Sequence, residues 1–313
     1  MRVIRRCLSL SHEKIEVIIK GKTGSPILIV SGMASSFDEW YELTEALSKS
    51  NRVIMFHRPG LGKSELCGTK RNTQKVVNEM VDIIHKLHIT EPVTLVGHSY
   101  GGLCVQHFMK QYPEKVLGVV LVDSTSVDFG VLDELDLPVM NEDSTDDAWL
   151  QKCLSYSTMK TDEIKSLIEP IILTQKELSF PPEIQKRLLE FPLNPTLYKA
   201  MYFEISNWKH DAQVIKIMKV CPDLPLIVIG RDKEHCVSIG IREGLPETEI
   251  TLLEDKWEQL IKEQIYLTKK SNLIFAKGSN HSVHLDRPDI IINSVKKIEA
   301  EIRSKGRKYE QTK

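Results

Sequence analysis

One serine flanked by glycines has the clearest potential for chemistry in this sequence. Residues 93–102 read VTLVGHSYGG, so an apolar run ends in Gly97-x-Ser99-x-Gly101 and a helix-like segment follows. A serine hydroxyl is a poor nucleophile unless a base accepts its proton and hydrogen-bond donors stabilise the oxyanion that forms. The unpaired N–H groups at the start of a helix favour negative charge. The pattern predicts that Ser99 is a nucleophile and that the N–H of Tyr100 is one oxyanion donor.

Three further motifs accompany GHSYGG, and together they resemble the α/β-hydrolase fold superfamily over nearly all of the chain. GHSYGG resembles the nucleophile elbow of that family, and HRPGLGKSE (57–65) resembles its RPGxGxS turn after the fourth strand. SNHSVHLDRP (279–288) resembles its histidine loop. The resemblance implies a serine hydrolase with a helical cap.

The stretch SGMASS (31–36) stands where members of the family carry His-Gly and then the oxyanion-hole loop. Ser31 replaces that histidine, so the hydrogen bonds of the loop are expected to differ. Gly32 and the N–H of Met33 are retained. The resemblance therefore implies Met33 as the second oxyanion donor.

Two histidines compete for the role of general base. His281 follows an apolar strand, Gly278 and a short polar turn, and His284 lies three residues further on. The first histidine of the family pattern H-x-x-H-x-D-x-P is the base, and the chain order nucleophile–acid–histidine agrees with that assignment. The resemblance thus implies His281 as the base, with His284 as the alternative.

The acid that orients this histidine and stabilises its cationic form could come from either of two strand ends. Asp123 ends the run VVLVD, and Asp232 follows the later run LIVIG. Most members carry the acid three residues after the glycine of the later strand, where this chain has Lys233. Some relatives carry it where Asp123 stands. We expect Asp123 to be the acid and keep Asp232 as the alternative.

The order of elements would bring these residues together. Strand-like and helix-like runs follow the order β-β-β-α-β-α-β-α-β up to Asp123, and the later strands are continuous apolar runs. Such runs are typical of a parallel sheet covered by helices on both faces. Strands return at 224–230 and 272–278, with one long helical segment at 246–267 between them and a terminal helix from about Pro288. The sequence predicts an α/β fold with a mostly parallel central sheet.

Residues 126–220 break this alternation and contain only helix-like segments with acidic starts. We expect them to form a helical cap inserted into an α/β-hydrolase core of residues 1–125 and 221–313. Apolar and aromatic side chains of the insert would either line a pocket over the site or pack the cap helices against one another. They are Trp149, Leu150, Phe180, Tyr198, Met201, Tyr202 and Trp208.

Composition limits the choice of partners. Hydrophobic residues make up 41% of the chain and charged residues 27%, with a net charge of −1, which gives no electrostatic footprint for nucleic acid or anionic membrane. No apolar run approaches the roughly 20 residues that span a bilayer, no signal-peptide pattern opens the chain, and the six cysteines form no CxxC pair. GLGKS (60–64) is similar to the end of a phosphate-binding loop, but that motif requires glycine where His57 stands. We expect a cytoplasmic protein that acts on a small molecule.

The predicted function is a carboxylesterase-like serine hydrolase that cleaves a small or medium apolar ester through an acyl-enzyme. Ser99 argues against dehalogenase and epoxide hydrolase chemistry, which uses an aspartate nucleophile. Lactone, amide, peptide and carbon–carbon bond cleavage remain open, because fold does not determine substrate. The alternatives are a weakly catalytic ligand sensor of the same fold, and an acyltransferase or perhydrolase. None of these chemistries requires a metal or an organic cofactor.

Overall fold

An eight-stranded sheet forms the centre of the computed structural model, which describes residues 3–10, 13–68, 70–142 and 145–311. The strand order is β1-β2-β4-β3-β5-β6-β7-β8. β2 pairs antiparallel with both β1 and β4, and every other pairing is parallel. The strands are β1 (Val3–Ser9), β2 (Lys14–Lys20), β3 (Pro26–Val30), β4 (Arg52–Phe56), β5 (Val93–His98), β6 (Val116–Val122), β7 (Pro225–Arg231) and β8 (Lys270–Ala276).

Eleven α-helices are described in these ranges, and the order predicted up to Asp123 is confirmed. No helix among the described residues is both long and apolar enough to cross a bilayer. The helices are α1 (Tyr41–Leu47), α2 (Thr73–Lys86), α3 (Tyr100–Gln111), α4 (Asp146–Ser157), α5 (Thr161–Ile168), α6 (Pro182–Glu190), α7 (Pro195–Ile217), α8 (Lys233–Arg242), α9 (Glu247–Glu263), α10 (Val283–Asp286) and α11 (Pro288–Gln311). Short 3-10 turns lie at Phe37–Trp40, Pro113–Lys115, Phe129–Glu134, Glu177–Ser179, Phe191–Leu193 and Gln264–Leu267.

Both faces of the sheet are buried, which explains the continuous apolar runs of its strands. Leu28 and Val30 of β3 pack in one core cluster with residues of α2 and α3. Ile27 and Ile29, which point to the opposite face, pack in a second cluster with residues of α1 and α11. Successive side chains of a strand alternate between faces, so a strand covered on both sides must be apolar throughout. The prediction of a mostly parallel sheet flanked by helices is confirmed.

The segment between β6 and β7 is helical over α4 to α7, as the sequence predicts. The long helix α7 packs against α4 and also against α3, which follows β5. Two small apolar clusters attach the segment to the rest of the molecule. In one, Phe180, Ile184 and Leu188 contact Leu285, and in the other, Leu197 and Ala200 contact Leu61.

The connection from β7 to β8 differs from the prediction of one long helix, because two helices are present. The additional helix is α8, which begins after Asp232 and packs against α9. β-Branched residues and Gly240 weaken its helical pattern in the sequence. A Cβ at Gly240 would lie 2.8 Å from Cγ1 of Ile250, so the glycine allows the two helices to approach closely.

Candidate active site

Ser99 lies in a tight turn between β5 and α3. Its backbone has φ 51° and ψ −125°, a conformation that non-glycine residues rarely adopt. The neighbouring glycines are needed because other backbone passes close to them. A Cβ at Gly101 would lie 2.3 Å from the carbonyl oxygen of Val30, and one at Gly97 would lie 2.8 Å from Cα of Gly102. This crowding holds the half-buried Ser99 at the carboxyl end of the central strand.

The loop after β3 lies directly against this turn. A Cβ at Gly32 would lie 3.2 Å from Cβ of Ser99 and 2.9 Å from Nδ1 of His98, so residue 32 must be small. The hydroxyl of Ser31 donates to the carbonyl of Ser35 (3.1 Å) and closes the loop on itself. Met33 follows in this loop and is half-buried.

Arg58 fixes the same loop through hydrogen bonds to two of its carbonyls. Its Nη1 donates to the carbonyl of Ser31 (2.7 Å), and its Nη2 donates to the carbonyl of Gly32 (2.9 Å). Glu204 of α7 accepts from Nε and Nη2 of Arg58, at 2.7 and 3.1 Å. Both side chains are at most 1% exposed. A buried ion pair, whose arginine makes four hydrogen bonds, therefore connects the loop before Met33 to the helical segment.

The start of α3 supplies the other predicted donor. Tyr100 is the first residue of α3, and the amides of a first turn have no acceptor within their own helix. The next amides turn back onto Ser99, whose carbonyl accepts from Gly102 (2.9 Å) and Leu103 (3.4 Å). The structure thus places the amides of Met33 and Tyr100 in the two segments that flank Ser99.

His281 and Asp123 meet at the ends of their respective elements. Nδ1 of His281 lies 2.6 Å from Oδ2 of Asp123, and the Asp123 carboxylate is fully buried. The backbone of Asp123 has φ 39°, a second non-glycine residue in the left-handed region. Nε2 of His98 lies 2.9 Å from the carbonyl oxygen of His281, which ties the histidine loop to the end of β5. The 41% exposure of the His281 side chain leaves its ring open to the site.

Asp123 is held by more donors than His281 alone. Oδ1 accepts from the backbone N–H of Arg231 (3.2 Å) and from Nε1 of Trp257 (2.9 Å), and Oδ2 also accepts from Nη1 of Arg231 (3.2 Å). Burial alone would raise the pKa of Asp123, but the Arg231 guanidinium and the hydrogen bonds from His281 and Trp257 outweigh it. They hold the pKa of this carboxyl well below its usual range, so Asp123 is ionised.

The two alternative residues lie in other settings. Asp232 caps the start of α8, where Oδ1 accepts from the amide of His235 (3.3 Å) and Oδ2 accepts from the amide of Gly278 (2.8 Å). His284 is buried and stacks on Trp40, with ring centroids 4.3 Å apart. Burial lowers the pKa of His284 to about 3, so its ring is neutral. The structure brings neither residue into a hydrogen bond with Ser99 or His281 among the described residues.

Residues after β6 line a partly open cavity of about 620 Å³, and none of Ser99, Asp123 and His281 is in its wall. Leu150 and Trp208, two of the candidate pocket residues, are in its wall, and Leu253 of α9 lies one turn before Trp257. Phe180 instead packs under α6, Tyr198 and Met201 pack beside Leu61, and Trp149 is 40% exposed. The apolar lining consists of Phe129, Leu132, Leu137, Met140, Leu150, Ile205, Trp208 and Leu253.

Four residues around the site were not singled out from the sequence, namely Arg58, Glu204, Arg231 and Trp257. Arg58 carries a signal, because it belongs to the motif HRPGLGKSE. Arg231 also stands next to the candidate acid Asp232 at the end of a strand. Glu204 and Trp257 lie within amphipathic helices, where nothing in the spacing marks them as partners of loop residues.

Comparisons with known proteins agree with this architecture. The family model described as alpha/beta hydrolase fold matches residues 25–162. The uncharacterized protein YqjL of Bacillus subtilis (strain 168) is 22% identical over 272 residues, which are 87% of this chain and 82% of that protein. (E)-2-((N-methylformamido)methylene)succinate hydrolase of Acinetobacter baylyi is 31% identical over 101 residues, which are 32% of this chain and 38% of that protein.

A solved structure extends the likeness to the whole fold. The thermophilic esterase from Thermogutta terrifontis superposes with a TM-score of 0.65 at 15% identity, covering 96% of this chain and 99% of that one. At this identity the likeness concerns the fold. Its agreement with the family match and with the observed strand order leads to one conclusion: the chain has the α/β-hydrolase fold.

Proposed function

We propose that the protein is a serine hydrolase that cleaves a small or medium apolar ester. The observation that carries the proposal is the 2.6 Å contact between His281 and the buried, ionised Asp123, beside a strained turn that presents Ser99. A nucleophile, a base and an acid in this order along the chain are the requirements for acyl transfer on this fold. The Acinetobacter relative named as a hydrolase supports the same class.

The mechanism follows from the chemistry of these groups. Oγ of Ser99 attacks the ester carbonyl while Nε2 of His281 accepts its proton, and Asp123 accepts the Nδ1–H and stabilises the imidazolium. The amides of Met33 and Tyr100 donate to the oxyanion of the tetrahedral intermediate. The imidazolium then protonates the departing alkoxide, which leaves an acyl-enzyme. Water, activated by the same histidine, releases the acid and restores Ser99.

Residues 126–220 would serve as a cap over a core of residues 1–125 and 221–313. Two features support this role. The helices stand between β6, which ends just before Asp123, and β7, which ends at Arg231, and Glu204 of α7 binds Arg58, which donates to the loop before Met33. The cavity of about 620 Å³ is within the size range of small-ligand sites, and its wall combines eight apolar residues with charged residues such as Asp133, Asp146 and Lys209. A cap of this kind would limit the size of the substrate.

The experiment that tests the proposal is labelling with a fluorophosphonate probe, with the labelled residue identified by mass spectrometry. We expect rapid labelling at Ser99 in the wild type and none in Ser99→Ala or His281→Ala. A folded wild type that is not labelled would refute the hydrolase mechanism and favour the ligand-sensor alternative. A labelled enzyme that turns over esters only in the presence of an alcohol or peroxide acceptor would indicate acyl transfer to that acceptor instead of hydrolysis.

The choice of acid is tested with Asp123→Asn and Asp232→Asn. Asp123→Asn should slow labelling by about 10³–10⁴-fold, because the amide no longer favours the required tautomer of His281. Asp232→Asn weakens the hydrogen bonds from the amides of His235 and Gly278 but touches no side chain of Ser99, Asp123 or His281, and it should leave the labelling rate within a few-fold of the wild type. The reverse pattern would assign the acid to Asp232.

A further inference from the structure

We propose that Arg231 and Trp257 are positioning residues that fix the Asp123 carboxylate, and that the charge of Arg231 offsets part of the attraction of Asp123 for a protonated His281. The inference rests on the proposed function, since it assigns a task within the same site. It concerns two residues outside the predicted nucleophile, base, acid and oxyanion donors. Arg231 ends β7 and Trp257 lies in α9, so both come from elements after the helical segment.

The geometry around Asp123 fixes the plane of its carboxylate. Each oxygen accepts two hydrogen bonds: Oδ1 from Arg231 N–H and Trp257 Nε1, and Oδ2 from Arg231 Nη1 and His281 Nδ1. A carboxylate that accepts only from His281 could rotate about its Cβ–Cγ bond and change the direction of the imidazole. The donors on Oδ1 oppose this rotation. The donors to Asp123 therefore fix the direction of the His281 ring.

Arg231 is itself held on its other side. Its Nε and Nη2 donate to Glu254 at 2.9 and 2.6 Å, and its guanidinium lies 4.4 Å from the centre of the Trp257 ring. The ring of Trp257 also meets the ring of His281 edge-on, with centroids 5.9 Å apart at 85°. Trp257 thus contacts Asp123, Arg231 and His281. Because the Arg231 guanidinium donates to the carboxylates of both Glu254 and Asp123, it is held in place beside Asp123.

The charge of Arg231 matters because Asp123 is buried. An ionised carboxylate in a low-dielectric setting strongly stabilises a neighbouring imidazolium, and a base that is already protonated cannot activate Ser99. Arg231 contacts the same Oδ2 as His281, so it offsets that attraction directly. The titratable and charged groups around the pair are His98 in β5, Arg231 in β7, Cys236 in α8, Glu254 in α9 and His284 in α10. Among these, Arg231 is the group that brings a positive charge onto Asp123.

Three variants separate charge from geometry. We measure the pH dependence of fluorophosphonate labelling at Ser99 for Arg231→Gln, Arg231→Lys and Trp257→Phe, with Arg242→Gln on the exposed face of α8 as the matched control. Arg231→Gln should move the acidic limb of the profile up by about one to two pH units, from the loss of one positive charge that shares Oδ2 of Asp123 with the imidazole. Arg231→Lys keeps the charge and should leave the limb in place, while lowering the plateau rate.

Trp257→Phe removes one donor to Oδ1 and keeps an aromatic ring. It should lower the plateau about 10-fold and move the acidic limb upward by less than Arg231→Gln does. A merely structural role would lower the amount of active protein without moving the limb. The proposal is overturned if folded Arg231→Gln and Trp257→Phe proteins both keep the wild-type limb, or if Arg231→Lys shifts it as far as Arg231→Gln.

A second readout does not depend on catalysis. The imidazole signals of His281 are titrated by NMR in a Ser99→Ala background, with and without Arg231→Gln. A midpoint that rises in the variant supports the proposal even if the wild type is never labelled, in which case only the hydrolase function fails. Normal labelling of the wild type together with an unmoved midpoint would reject the role of Arg231 and leave the hydrolase function standing.

Discussion

Removing Glu204 should destabilise the protein strongly, because it leaves the Arg58 guanidinium buried without its counter-charge. Arg58 and Glu204 are joined by two hydrogen bonds of 2.7 and 3.1 Å, and both are at most 1% exposed. Breaking such a buried pair from one side costs about 3–5 kcal/mol, since the remaining charge cannot be solvated. We therefore expect Glu204→Leu to lower the free energy of unfolding by this amount.

This cost can be converted into a melting temperature. The unfolding entropy is about 2.1 cal/mol/K per residue near 60 °C, so a cooperative transition of the 313-residue chain has about 0.7 kcal/mol/K. A loss of about 3–5 kcal/mol then lowers Tm by about 4–8 °C. The control is Glu190→Leu in α6, whose partner Lys186 is 74% exposed. That surface pair contributes at most about 1 kcal/mol, which corresponds to a shift below about 2 °C.

A double-mutant cycle tests the physical reason for the effect. Calorimetry is run on Glu204→Leu, Arg58→Met and the variant that carries both changes. The double variant buries no unpaired charge and loses only the donors to the carbonyls of Ser31 and Gly32, so its Tm should be no lower than that of either single variant. Two single effects that simply add in the double variant would refute the reasoning.

Three further predictions concern other parts of the fold. Burial raises the pKa of Glu16, but the hydrogen bonds from His57 and Lys63 and the charge of Arg187 outweigh it and lower that pKa from 4.5 to about 2. The contribution of Glu16 is therefore present above pH 4.5 and lost as pH falls toward 2. The destabilisation caused by Glu16→Gln, measured by urea unfolding, should therefore reach about 3 kcal/mol at pH 6 and shrink across this window, and a pH-independent difference would contradict it. Gly101→Ala should destabilise the fold by about 3 kcal/mol or more, because its Cβ would lie 2.3 and 2.4 Å from the carbonyl oxygens of Val30 and Ser31. The control is Gly130→Ala, whose Cβ would meet nothing within 4 Å and which should have little effect in the same assay. The exposed thiols of Cys7, Cys67 and Cys221 should react with a disulfide reagent in the native protein, while Cys104 and Cys153 should react only after unfolding, because they are buried and burial raises the pKa of both.

The motifs that depend on local backbone were predictable from the sequence. The turn at Ser99 needs small residues at Gly97 and Gly101, and the surrounding strand and helix have clear patterns, so their order could be inferred directly. The strands of the sheet were equally visible, since burial on both faces requires continuous apolar runs. Because these apolar runs are easy to recognise, the order of the strands along the chain could be compared with that of a known family.

The parts that depend on contacts between distant elements were not predictable. α8 was missed because Gly240 and β-branched residues weaken its period, although Asp232 provides a capping signal before it. Asp123 and Asp232 could not be separated by spacing, because their difference lies in what surrounds each carboxylate. Trp257, which donates one hydrogen bond to Asp123, is separated from it by 134 residues in the chain. No sequence period encodes such a contact.

The site has a local half and a remote half. Ser99, Tyr100 and Asp123 all belong to the single β5–α3–β6 unit, in which Gly97 pairs with Leu121 and His98 pairs with Val122. His281 joins them across a sequence separation of 158 residues. Because the entropy of closing a loop grows only logarithmically with its length, a doubling of the intervening chain costs only about 0.6 kcal/mol. The segments that carry α4 to α7 and α8 to α9 can therefore lengthen, shorten or change in sequence over evolutionary time while the spacing of nucleophile, oxyanion amide and acid stays the same.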